Sequence, residues 1–248
     1  MKISIITTSL NSKATVEDTI KSVLAQTYKD IEYIVIDGGS IDGTLNIVDK
    51  YRDRINKVVS EKDKGLYDAM NKGIKLATGE VIGILNSDDV YTTSNVVEVV
   101  VKQMTEAGAD VCWGDLVYVE KDDLSKITRY WKSSIYQNGK FQKGWHPPHP
   151  TFFVRRFLYD KYGIFRTDLL LAADYELMLR FLEKYKVSSF YISQTLVKMR
   201  EGGKSNWKSI SAVIKGNIES CKSWKLNGLK HNPLVFIFKP FQKIKQLF

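Results

Sequence analysis

Apolar and polar positions follow two alternating periods along the first hundred residues. Short, nearly unbroken apolar runs read as strands: KISIIT from Lys2, IEYIVID from Ile31, KVVS from Lys57 and EVIGIL from Glu80. Between them, apolar residues recur at helical spacing. One set is Val16, Ile20, Val23 and Leu24, and another is Leu45 and Val48 in a helix ending near Tyr51. A third is Leu66, Met70, Ile74 and Ala77, stopped by Gly79. Strands alternating with helices predict an α/β fold with a mostly parallel sheet flanked by helices and right-handed crossovers. Strands without polar alternation predict burial on both faces.

After residue 108 the pattern changes. DVCWGDLVYV and KITRYW predict longer strands of antiparallel character, followed by a polar, glycine-containing loop over about 133–145 and then GWHPPHPTFFVRR. A helix is expected over about 172–186, a strand in SSFYISQTLVKM, and a long amphipathic helix from near Ser205. No repeat or low-complexity linker divides the chain. One domain over residues 1–230 is expected, with a first half over 1–108, a second over 109–204, and a tail over 231–248.

The 248 residues, 44% hydrophobic and 26% charged, are those of an ordinary globular protein. The net charge of +9 changes the picture, because residues 1–196 carry 26 basic and 26 acidic side chains. The whole excess lies in residues 197–248, with 11 basic against 2 acidic. A neutral body argues against a nucleic-acid-binding surface, so no nucleic acid partner is expected. Cys112 and Cys221 fit no metal or redox spacing. MKISIITTS reads as a first strand, not a signal peptide, and no run approaches the ~20 apolar residues of a membrane span. A reducing, cytoplasmic setting is expected.

Ligands of open parallel sheets bind beyond the carboxyl ends of the strands. Those ends present Thr7, Thr8, Ser9 and Asn11; then DGGSIDGT with Asp37 and Asp42; then SEKDKG with Glu61 and Asp63; then Asn86, Ser87, Asp88 and Asp89. Each has an ordinary reading: Asp42 as a helix cap, DGGS as a turn, and Asp88-Asp89 as the cap of a helix beyond Tyr91. Their coincidence at one sheet edge points to a ligand. Neither a Walker phosphate loop nor a G-x-G-x-x-G turn is present. Phosphates would instead be reached through a dication, Mg²⁺ or Mn²⁺, on one or two carboxylates, which also makes adjacent aspartates tolerable.

SIITTSLN, then SVLAQTYKDIEYIVIDGGSIDGT and ATGEVIGILNSDDVY, resemble the nucleotide-sugar half of glycosyltransferase family 2, the inverting GT-A fold, over roughly residues 1–105. EKDKGLYDAMNKGI is similar to the subgroup that builds bacterial surface polysaccharides such as O-antigen or capsule; the likeness continues more loosely through HPTFFVRRFLYDKYGIF and AADYELMLRF to MREGGKS. The resemblance implies that Thr7, Thr8 and Asn11 line the nucleobase and ribose and that Asp37 accepts from a uracil ring. Glu61, Asp63 and Lys64 would lie near the base or sugar, with Asn86 beside them. Asp88 would meet the ribose or sugar and Asp89 the metal, with Asn86 replacing the first aspartate of a DxDD pattern. Which of Asp88 and Asp89 ligates is left open.

For the acceptor side, Asp174 in LLLAADYELMLRF matches the family position of the catalytic base; its ordinary reading is a helix cap, with Glu176 pairing to Arg180. In WHPPHP the prolines oppose a paired-histidine metal site, so His149 is expected in a rigid acceptor loop or as a structural histidine. Arg200 and Lys204, around Gly202-Gly203, are expected on the diphosphate. The Q-x-x-R-W motif of processive synthases is absent. The resemblance implies a nucleotide diphosphate sugar donor, a UDP-sugar first, and an acceptor on a polyprenyl diphosphate. Leu234, Phe238, Phe241, Ile244 and Phe248, with Lys239, Lys243 and Lys245 off that face, read as a segment for an anionic membrane on the inner face of the cell membrane, or for packing on protein. The competing enzymatic reading is a sugar nucleotidyltransferase, which should show a glycine-rich basic loop where TTSLNSKA stands. A non-catalytic member of the fold is the other alternative, and oligomeric state is left open.

Overall fold

The computed structural model describes residues 1–202 and 210–230. Lys204, the helix start expected near Ser205 and the tail over 231–248 lie outside the described residues. The first half runs β1 (Ile3–Ser9), α1 (Val16–Leu24), β2 (Ile31–Asp37), α2 (Thr44–Asp49), β3 (Lys57–Ser60), α3 (Leu66–Leu76) and β4 (Val81–Ile84). Then come β5 (Asp89–Tyr91), α4 (Val96–Ala107), β6 (Val111–Val119) and β7 (Ile127–Trp131). The rest is β8 (Phe153–Arg155), α5 (Arg156–Tyr162), α6 (Ala173–Leu179), β9 (Ser189–Arg200) and α7 (Ile210–Leu226).

The strands form one sheet in the order β3-β2-β1-β4-β8-β6-β9-β5, with β7 paired to β6. β1 to β4 are parallel, as their alternation with helices predicts, and β6 and β9 are parallel too. The β6–β7 hairpin is antiparallel as expected. Two three-residue strands escape sequence patterning. β8 joins the parallel half to β6, and β5 closes the far edge on β9.

The pleat sends alternate residues to two cores. Ile6, Ile34 and Ile36 face a cluster with Met70 and Ile74 of α3 and Phe181 and Trp224. Ile5, Tyr33 and Val35 face Val16 and Ile20 of α1 and Val100 of α4 on the other side. Burial on both faces explains why these strands carry no polar alternation. Helix α3 lies so close to β1 that a Cβ on Gly73 would sit 2.4 Å from Ile6 Cγ2.

Helix α6 runs into a π-helical turn over Arg180–Lys184. Glu176 and Arg180 pair at 2.9 Å with 2% and 8% exposure, and Arg180 also donates to the carbonyls of Tyr162, Gly163 and Ile164. This is a buried lock on the helix, not the surface i, i+4 pair its spacing suggests; removing one partner would cost about 3–5 kcal/mol.

Candidate active site

The β2 end is organised by Asp37. Its carboxylate accepts five hydrogen bonds: from the hydroxyls of Ser9, Ser40 and Ser60 and from the amides of Gly39 and Ser40. Burial raises its pKa, but these donors outweigh burial and bring it below the ordinary aspartate value. Asp37, the carboxylate expected to meet a uracil ring, has no exposed surface and is the hub that shapes the loop beside it. Thr7 and Thr8, expected at the nucleobase and ribose, are also internal. The Thr7 hydroxyl accepts from Tyr33 at 3.1 Å, and Thr8 donates to Asn86 Oδ1 at 3.2 Å.

Accessible groups lie just outside this frame. Asn11 is exposed with a left-handed φ of 50°, held by bonds from its amide to Ser40 and from the Ile41 amide to its side chain. Asp63 accepts from the Gly65 amide at 2.8 Å, and its Oδ2 would lie 2.5 Å from any Cβ at position 38. Gly38 is therefore what lets the β3–α3 loop close over the β2 end. Lys64 and Glu61 are exposed, with Glu61 paired to Lys72 at 2.8 Å. Asp42 accepts from the amides of Thr44 and Lys13, a turn-building role that needs no ligand.

Asp88 and Asp89 do not cap a helix, since the residue before α4 is Asn95. They occupy the turn from β4 into β5 and divide its two sides. Asp88 is half-buried; burial raises its carboxyl above the ordinary range, and the Arg200 charge pulls against that. Asp89 has no exposed surface; among the described residues its Oδ1 has no partner, while Oδ2 receives a long 3.5 Å bond from Asn86. Burial pushes Asp89 well above the carboxylate range, and the Asp88 charge adds to it. Two carboxylates with raised affinity for positive charge, one carrying an unpartnered oxygen, fit a dication. Among the described residues no group of three or more His, Cys, Asp or Glu side chains gathers as a closed metal cage. An ion here would complete its shell with phosphate oxygens and water. Of the two, Asp88 is the more exposed and Asp89 lies behind it.

Arg200, expected on the diphosphate, lies against the aspartate turn. It is 5% exposed and donates to the carbonyls of Lys121 and Asp88 at 3.0 Å and to Asp18 Oδ2 of α1 at 2.5 Å. It clamps β9, α1 and the aspartate turn together, because β9 reaches this turn through its pairing with β5.

The residues expected on an acceptor side gather around Asp174, in the first turn of α6. Asp174 Oδ1 accepts from the Tyr67 hydroxyl at 3.0 Å, and Tyr67 stacks on Phe165 with centroids 5.7 Å apart. Burial, then the Asp174 charge, hold the Tyr67 hydroxyl well above its ordinary pKa, so it stays a donor. His149 meets Phe165 edge to face at 5.6 Å. Burial lowers the His149 imidazole while the nearby Asp174 charge opposes that. Tyr67 opens α3, directly after the 61–65 loop, so this bond ties Asp174 to the edge where the strand ends gather.

The sequence matches the family model described as Glycosyl transferase family 2 over residues 4–163. The chain belongs to glycosyltransferase family 2. A glycosyltransferase of Mycobacterium tuberculosis with no assigned function is 35% identical over 181 residues, covering 72% of this chain and 68% of its own. Over 95 residues, 38% of each chain, identity is 40% with WfaP of Escherichia coli, a UDP-Glc:α-D-GlcNAc-diphosphoundecaprenol β-1,3-glucosyltransferase. The mannosyltransferase PcManGT of Pyrobaculum calidifontis, solved with GDP-Man and Mn²⁺, superposes with a TM-score of 0.67 at 17% identity, covering 98% of this chain and 68% of that one. That likeness shows a shared GT-A fold.

The protein is thus a glycosyltransferase, not a sugar nucleotidyltransferase. The family match ends at residue 163, before Asp174. Tyr67 of this glycosyltransferase was not among the residues singled out from the sequence. Its signal was its place in the KGLYDAM stretch, in the first turn of the helix that follows a strand-end loop.

Proposed function

We propose that this glycosyltransferase inverts the anomeric centre of a nucleotide diphosphate sugar, a UDP-sugar first, while moving it to a hydroxyl of a polyprenyl-diphosphate-linked glycan. The pathway would be bacterial surface-polysaccharide assembly, of O-antigen or capsule type. The observation that carries the reading is the Tyr67–Asp174 bond, which ties a carboxylate from the second half of the chain to the strand-end edge of the first. The activity of WfaP supports the donor and acceptor classes.

In this reading Asn11, Asp63, Lys64 and Glu61 surround the nucleotide, on a loop frame fixed by Asp37, Thr7 and Thr8. Asn86 sets the aspartate turn. Asp88, with Asp89 behind it, would hold Mg²⁺ or Mn²⁺. When bound, that ion supplies Lewis-acid charge for the departing diphosphate. Asp174 takes the proton of the acceptor hydroxyl on Oδ2, since Oδ1 is engaged by Tyr67. The acceptor oxygen bonds to the anomeric carbon as the bond to the diphosphate oxygen breaks, with that electron pair leaving on the nucleotide. His149 lines the acceptor side as a neutral ring. Lys204 remains a candidate for the diphosphate.

Peripheral attachment to an anionic membrane fits α7. Its exposed stripe holds Ile214 and Ile218, 55% and 63% exposed, among Lys215, Lys222 and Lys225. Among the described residues no helix is long and apolar enough to cross a membrane.

The test has two parts. Calorimetry with UDP, GDP, dTDP and CMP, with and without Mn²⁺, should give metal-dependent UDP binding that Asp88→Ala weakens. UDP release from UDP-glucose should then require a synthetic α-GlcNAc-diphosphoryl lipid. Absence of nucleotide binding under all conditions would overturn the reading.

A further inference from the structure

We infer that Glu219, on the C-terminal helix, is a positioning residue for Asp174. The inference rests on reading Asp174 as the base. Helix α6 begins at Ala173, and its N-cap residue Ala172 offers no side-chain acceptor. The free N–H groups at such a helix start need a partner. Glu219 partners the two amides that lead into this start, from 47 and 48 residues away: Oε2 accepts from the amide of Leu171 at 2.7 Å and from that of the cap residue Ala172 at 3.0 Å.

Two further bonds, one from α7 and one from the residue that follows it, lie on the other side of the base. Trp224 Nε1 donates to the Tyr175 hydroxyl at 3.0 Å, and Asn227 Nδ2 donates to Glu176 Oε1 at 2.9 Å. Glu219, Trp224 and Asn227 are 8%, 2% and 5% exposed, so these contacts are shielded from water. Asp174 lies two residues beyond the Glu219 bonds and next to Tyr175. The chain on either side of it is therefore held by a segment outside the residues that match the family. Charge-assisted bonds of this kind are roughly twice as strong as neutral ones. A displacement of about 1 Å at a reacting group costs about a hundredfold in rate. Glu219 does not touch substrate; it sets the first turn of α6, and so the distance between Asp174 and Tyr67.

The experiment uses Glu219→Ala and Glu219→Gln in the full chain. Amide exchange is followed in peptides covering 168–176, beside kcat and donor KM in the UDP-release assay. In Glu219→Ala, exchange across 168–176 should quicken about tenfold or more, with peptides of β1 to β4 unchanged. Its kcat should fall about ten- to a hundredfold, with donor KM and Mn²⁺–UDP affinity within twofold. Glu219→Gln should recover most of kcat, because an amide oxygen can accept both N–H groups. Wild-type exchange in Glu219→Ala would overturn the proposal, as would a kcat loss matched by loss of UDP binding, or a Gln variant as impaired as Ala. Near-normal turnover in Asp174→Asn would instead remove the base reading and leave the exchange result standing. A dead Asp174→Asn beside a fully active Glu219→Ala would remove the Glu219 role alone.

Discussion

The Tyr67 hydroxyl donates to Asp174 Oδ1 at 3.0 Å across 107 residues of sequence. One bond thus links the helix that follows the third strand end to the helix that bears the candidate base. Tyr67→Phe keeps the ring on Phe165 and removes the hydroxyl, which donates to Asp174 and faces the amides of Ala173 and Asp174. Turnover should fall about three- to tenfold with UDP affinity unchanged, as expected for a group that orients a base. Asp174→Asn should cost about 10²–10⁴-fold in kcat, also with UDP affinity unchanged. Steady-state kinetics beside calorimetry separates the two effects; loss of UDP binding in either variant would speak against the assignment.

Asp88 and Asp89 should behave oppositely when replaced. Asp89 is enclosed with Oδ1 unpartnered and its pKa raised, so ionising it weighs against the fold. Sign and window follow from that shift. The penalty is absent below the ordinary aspartate pKa, where folded and unfolded forms are both protonated, and present as pH rises above it. Asp89→Asn should therefore raise the melting midpoint of the metal-free protein by about 2–5 °C at pH 7, with the gain fading below about pH 4. Asp88→Asn should abolish the Mn²⁺ dependence of UDP binding. A metal-free Asp89→Asn protein less stable than wild type at pH 7 would contradict the argument.

Metal-dependent UDP binding should weaken on acidification earlier than an ordinary carboxylate would allow. Burial raises the Asp88 pKa, so a proton competes with a dication at pH values above the usual aspartate range. Titrations of UDP with Mn²⁺ across pH 4.5 to 7.5 should show affinity falling toward the acid end and proton release on binding. Affinity flat across that range would contradict it.

Glu32 offers a test of the scaffold. It is 3% exposed and accepts from Ser4 at 2.6 Å, from the Thr78 amide at 2.7 Å and hydroxyl at 2.9 Å, and from Lys57 at 3.2 Å. Burial raises its pKa, but these donors outweigh it and bring the carboxyl to about 2. A depressed pKa stabilises the fold above the unfolded value of 4.5 and loses that contribution as pH falls toward 2. The shift corresponds to about 3 kcal/mol. Glu32→Gln should lower the midpoint by about 6–10 °C at pH 7. Denaturant titrations should show its difference from wild type shrinking below about pH 4.

What the sequence determined by itself was local and periodic. The spacing of Val16, Ile20 and Val23, the unbroken IEYIVID run and the stop at Gly79 placed the strands and helices of the first half, because each is set by neighbours within a few residues. Topological logic then brought Asn11, Asp63 and Asp88 to one sheet edge, and motif order gave the family. Tertiary structure decided which groups are open. Thr7, Thr8 and Asp37 turned inward because hydroxyl and amide partners from other strand ends surround them. Adjacent Asp88 and Asp89 took different surroundings because β5, too short to show a period, pairs with β9. That same pairing drew Arg200 into a clamp on Asp18 and the Asp88 carbonyl. The Glu219 contact with the start of α6 left no mark in the sequence, since a bond between residues 47 apart depends on how α7 docks and on nothing in either segment alone.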